Sequence, residues 1–72
     1  MKSKPALQDV VELREARGGQ PAGAIGAVVE LFSTEALVEI ADDAGRTVEV
    51  LTVPYEALRI RESQSAARRA AG

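Results

Sequence analysis

From Gly23 to Phe32 the chain reads Gly-Ala-Ile-Gly-Ala-Val-Val-Glu-Leu-Phe, so two glycines three residues apart close a polar stretch and open an apolar one. Glycine tolerates positive φ and close backbone approach. The pair therefore predicts a tight turn that feeds a strongly curved strand, as small barrels require. This feature specifies a scaffold and leaves the chemistry open.

Seventy-two residues make one domain with a small core, too small for a deep catalytic cleft. The sequence has no cysteine, which excludes disulfides, thiolate zinc sites and thiol catalysis. It also has no histidine, the usual general base, nucleophile activator and transition-metal ligand. No apolar run approaches the roughly 20 residues of a membrane span, and Met1-Lys2-Ser3-Lys4-Pro5 lacks the apolar stretch of a signal peptide. A soluble cytoplasmic protein is the expectation.

The net charge of −2 hides an uneven distribution. Residues 5–60 carry ten acids against four arginines, Arg14, Arg17, Arg46 and Arg59, while Lys2, Lys4, Arg61, Arg68 and Arg69 sit at the two ends. An acidic body disfavours contact with phosphate backbones, because nucleic-acid affinity rests on Lys and Arg neutralising phosphates.

Along the chain, Asp9–Leu13 reads as a first strand. Arg14–Gly23, rich in glycine and polar residues, reads as a long loop. Further strands are expected over Ala27–Phe32, Leu37–Ala41 and Arg46–Val53, the last stopped by Pro54, which cannot donate to a ladder. Tyr55-Glu56-Ala57 predicts one helical or 3₁₀ turn, with the Tyr55 ring over the barrel end, and Leu58–Ile60 a short closing strand. No internal repeat is visible. Residues 1–6 are expected to be a disordered head, 7–60 the barrel, and 61–72 a flexible or weakly helical tail.

The registers follow from turn chemistry and burial. A three-residue loop Asp43-Ala44-Gly45 sets Asp42 opposite Arg46, and continuing that pairing puts Val38 against Val50 and Ile40 against Val48. Pairing Leu31 with Val38 and Val29 with Ile40 then collects the β-branched residues on one face. The implied core is Ala27, Val29, Leu31, Val38, Ile40, Val48 and Val50. On the other face these registers set Phe32, Leu37 and Leu51 in an apolar row beside a row of Glu30, Glu39 and Glu49. Like charges directly opposite in a sheet are destabilising, so such a surface suggests a recognition patch for a basic protein partner. The rival reading has a bulge carrying Phe32 and Leu51 into the core and leaves the glutamates as a solvated face.

Other groups have plainer explanations. Glu30, Glu39 and Glu49 lack the carbonyl-rich loop of a calcium site, and no metal or cofactor is expected. Asp42, Asp43 and Gly45 are accounted for by turn chemistry. Gly18-Gly19 is followed by no Gly-Lys-Ser/Thr, so it reads as a flexible loop rather than a phosphate cradle. Ser33, Thr34, Ser63 and Ser65 have no base beside them, and no enzymatic activity is expected.

The spacing Gly23-x-x-Gly26-x-Val28-Val29-x-Leu31, Val38-Glu39-Ile40-x-Asp42-x-x-Gly45 and Thr52-Val53-Pro54 with Leu58-Arg59 resembles small bacterial SH3-like barrels, with a glycine turn similar to KOW modules. More closely, with Asp9-Val10-Val11-x-Leu13, it resembles a bacterial family carrying a domain of unknown function over roughly residues 7–60. The resemblance implies an all-β, five-stranded, partly open SH3-like small barrel without enzymatic activity, and an antitoxin or immunity role. The chain lacks the basic residues that KOW modules carry around the glycine turn, which weakens the alternative of nucleic-acid or ribosome binding. A structural or self-assembling subunit is the remaining alternative, since an exposed apolar row can also seal a homodimer.

Overall fold

The computed structural model describes residues 4–63. Five strands, β1 (Val10–Leu13), β2 (Ile25–Leu31), β3 (Glu35–Ala41), β4 (Thr47–Pro54) and β5 (Leu58–Glu62), form one antiparallel sheet in the order β4-β3-β2-β1-β5. A 3₁₀ turn over Tyr55–Ala57 joins β4 to β5. The all-β, five-stranded architecture expected from the sequence is the one observed, with the 3₁₀ turn where it was placed. β4 and β5 are the two edges, yet Val53 of β4 and Leu58 of β5 belong to one core cluster with Val11, Leu13, Val28, Ala36, Val38, Ile40 and Ala57. The sheet curls until its edge strands share a core.

Three bulges accompany that curl. Val28 pairs with Val38 but Glu30 with Leu37, so β2 carries Val29 as an extra residue. Ile40 pairs with Glu49 but Ala41 with Thr47, which makes Val48 the extra residue of β4. Val11 pairs with Ile60 but Val10 with Glu62, leaving Arg61 as the extra residue of β5. A bulge bends its strand and sharpens the twist, and all three extra residues are exposed.

These bulges correct the expected registers. The hairpin closes as predicted: the Gly45 N–H donates to the Asp42 carbonyl, the Asp42 N–H donates to the Arg46 carbonyl, and Gly45 has φ +83°. Beyond Val48, however, the pairing slips by one residue, so Val38 faces Leu51 rather than Val50, and Glu49 rather than Val48 lies opposite Ile40. A one-residue slip moves every later side chain to the other face. The expected pairs Leu31–Val38 and Val29–Ile40 are replaced by Leu31–Ala36 and Gly26–Ile40. Val38 and Ile40 are core as expected and Leu31 packs against it, whereas Val29, Val48 and Val50 are exposed and Ala27 faces outward.

Gly26 is required by space. A Cβ there would lie 2.5 Å from the Glu39 carbonyl oxygen and 2.7 Å from Val38 Cγ1, so β2 and β3 approach as closely as they do because this inward position is empty.

The ends of the described chain are more structured than expected. Pro5 is buried, Lys4 Nζ stands 5.5 Å from the centroid of the Tyr55 ring, and the Ala6 N–H donates to the Asp9 carboxylate at 2.9 Å. Residues 4–6, assigned to a disordered head, thus pack on the domain, while 1–3 lie outside the described residues. β5 continues through Glu62, and Arg61, assigned to the tail, forms an ion pair with Glu12 at 2.8 Å. The remaining tail assignment, with Ser65, Arg68 and Arg69, falls outside the described residues.

Candidate functional site

The six residues expected to form two outer rows are distributed over three places. Glu30, Leu37 and Glu39 do lie on the outer face, but Glu30 is paired with Leu37, and Glu39 is flanked by Ala27 and Val50. No row of glutamates forms. Leu51 points inward, half-buried against the core opposite Val38, as the rival reading required. Phe32 stays exposed in the turn after β2, where its N–H donates to the Glu35 carbonyl and its own carbonyl accepts from the Tyr55 hydroxyl. The β2 bulge at Val29 turns Leu31 toward the core and so leaves Phe32, the next residue, exposed rather than buried.

Glu49 has an internal task. It faces the same side as Ile40 and Leu51, and its carboxylate accepts from the Gly19 N–H at 3.2 and 3.3 Å and from Gln20 Nε2 at 2.9 Å. The β1–β2 loop is thereby fastened over the inner side of β4. Gly18, with φ +60°, makes the approach possible, because a Cβ there would stand 2.6 Å from Leu51 Cδ2. A two-residue bridge between Arg17 and Gln20 folds the loop tip, and the Arg17 Nε is shielded from solvent without a hydrogen-bond partner among the described residues.

The outer face retains a distinct surface. Val29 is 42% exposed, Val50 49% and Val48 51%, and they share it with half-buried Leu37 and the carboxylates of Glu30 and Glu39. Two of these valines are bulge residues, which is why their burial is not legible from strand alternation. Between the loop at Gln20–Ala24 and the β3–β4 hairpin lies a trough of about 600 Å³ that takes its lining from outward residues of β1, β2 and β3 and also from the inward Gly26 and Ile40. Its floor includes Ala27 and Ala41, with Val10 and Ile25 on one side and Glu39, Asp42 and Asp43 on the other. Sequence reading missed this trough because it assigned Ala27 to the core. Its signal is the small alanines Ala27 and Ala41 at the outward positions of neighbouring strands.

At the trough rim, the Asp42 carboxylate is held by the hairpin. The N–H groups of Arg46 and Ala44 both donate to Oδ1 at 2.9 Å, and the Arg46 guanidinium reaches Oδ2 at 3.2 Å. These bonds, the Arg46 amide foremost, lower its pKa below the ordinary 3.8 against a weaker opposing effect of desolvation. Among the described residues, no group of three or more acids is placed to hold a metal ion, and no helix is long and apolar enough to cross a membrane.

Residues 7–60 match the family described as Domain of unknown function (DUF4926). The chain belongs to that family. No curated protein and no solved structure matches it. The matched span runs from Leu7, ahead of β1, to Ile60 within β5, and so takes in the loop fastened by Glu49, the trough and the bulges of β2 and β4, ending one residue before the β5 bulge at Arg61.

Proposed function

We propose that this DUF4926 domain is a non-enzymatic binding module whose partner is another protein, held against the outer face of the sheet. The observation that carries the reading is the exposed apolar set Val29, Val48 and Val50 interleaved with Glu30 and Glu39, a mixture of apolar anchors and charged rim that a fold does not need for itself. Absence of histidine and cysteine from the sequence argues against acid–base and thiol chemistry. The acidic body argues against nucleic acid, and its like charge argues against a homo-oligomer built through the same face. The strand order supports the likeness to SH3-like barrels, which favours binding over catalysis. An antitoxin or immunity protein, acting by masking its partner, is the specific form of module the bacterial resemblance supports, in the cytoplasm.

The experiment is site-specific photo-crosslinking from position 50, with a crosslinker at exposed Glu56 as control, in cells of the native host that also express the neighbouring reading frame. Crosslinks to one protein from position 50 alone are expected. Equal labelling from both positions, or no protein crosslink from the outer face, would defeat the reading.

A further inference from the structure

Resting on the binding-module reading, we propose that the trough beside β1 is the docking site for an extended, lysine- or arginine-bearing segment of the partner protein. The trough exists because outward positions of adjacent strands carry small side chains: Ala27 on β2 lies next to Val10 of β1 and Glu39 of β3, and Ala41 ends β3 beside Thr47. The neighbouring hairpin, through Asp42, Asp43 and Gly45, and the Gln20–Ala24 turn complete its lining. Its volume, about 600 Å³, lies in the range of pockets that enclose ligands, enough for a few side chains rather than a single ion.

The charge of the trough selects among occupants. Glu39, Asp42 and Asp43 line it, and no lysine or arginine does. Asp42 is committed to the turn. Glu39 is exposed and receives only a 3.4 Å bond from Thr47 Oγ1, while the exposed Asp43 carboxylate has no partner among the described residues. Two solvated carboxylates beside the apolar lining of Val10, Ile25, Ala27 and Ala41 match a Lys or Arg side chain, whose aliphatic stem lies on apolar surface while its head meets an anion. Phosphates of a nucleic acid would be repelled by the same carboxylates. A second copy would bring its own acidic body against this wall, since residues 5–60 hold ten acids and four arginines.

Selection of a displayed random peptide library on the full chain tests this, followed by amide-shift mapping of the synthetic winning peptide. The expected winners place Lys or Arg beside apolar residues and shift the amides of Ile25, Ala27, Ala41 and Thr47. The Glu39→Lys, Asp43→Lys double variant should weaken binding about ten-fold or more, and affinity should fall as salt rises from about 50 to about 300 mM. Ala41→Leu fills the floor at an exposed position without altering charge. It should weaken binding comparably while leaving the thermal melt unchanged. Winners without basic residues, shifts confined to Val48–Val50 or to the Glu15–Gly19 part of the β1–β2 loop, failure to select any peptide, or affinity unchanged in both variants would overturn the trough assignment. Crosslinking from position 50 to a folded partner, with no basic peptide selected, would overturn it and leave the binding-module reading standing, whereas failure of both experiments would remove both.

Discussion

Glu49 and Gly19 lie thirty residues apart in sequence, and the Gly19 N–H donates to both oxygens of the Glu49 carboxylate, at 3.2 and 3.3 Å. Gln20 adds a third bond from its side-chain amide at 2.9 Å. One carboxylate on an edge strand therefore holds the tip of the β1–β2 loop. Glu49→Ala should cost about 1 kcal/mol in urea melts and speed hydrogen exchange at the Gly19 amide. Glu49→Gln, which keeps an acceptor, should lose less on both measures. An unchanged exchange rate in Glu49→Ala would mean that the loop is held by its own bridge between Arg17 and Gln20.

The adjacent valines of the β2 bulge should behave in opposite ways. Val28 is fully buried against Val38, and Val29 is 42% exposed. Val28→Ala is expected to destabilise by about 2 kcal/mol and Val29→Ala by less than about 0.5 kcal/mol, read from denaturant midpoints at constant slope. The reverse order would restore the unbulged register.

Two glycines separate lack of space from backbone strain. Gly26→Ala puts a methyl group 2.5 Å from the Glu39 carbonyl oxygen and should cost about 1–3 kcal/mol or more, because strand backbone has to move. At Gly23, with φ +93° and open space around it, alanine should cost about 1 kcal/mol, from the left-handed conformation alone. Thermal melts of the two variants compare these costs directly.

Asp42 makes stability depend on pH in acid. Its pKa is lowered in the folded protein, chiefly by the Arg46 amide, so the carboxylate contributes stability that is fully present above the unfolded value near 3.8. That contribution is lost as pH falls through the lower folded value. The stability difference between the wild type and Asp42→Asn should therefore shrink as pH falls below the unfolded value of 3.8, and the Asp42 carboxyl should titrate below free aspartate by NMR. A titration at or above the free value would remove the turn's claim on this group.

Local chemistry determined a good part of this protein from the sequence by itself. The Asp42–Arg46 hairpin, the 3₁₀ turn over Tyr55–Ala57, five strands and the burial of Val38 and Ile40 all follow from turn residues and from alternation over a few neighbours. Tertiary structure alone decided which way the rest of each strand faces. Val29, Val48 and Arg61 became extra residues because an antiparallel sheet of five strands must bend sharply to bring Val53 and Leu58 into one core, and each bulge inverts the alternation beyond it. The surface followed from those inversions. Leu51 and Glu49 left the outer face, Val50 joined it, and Ala27 became the floor of a trough, because a side chain's face depends on strand partners far away in the sequence.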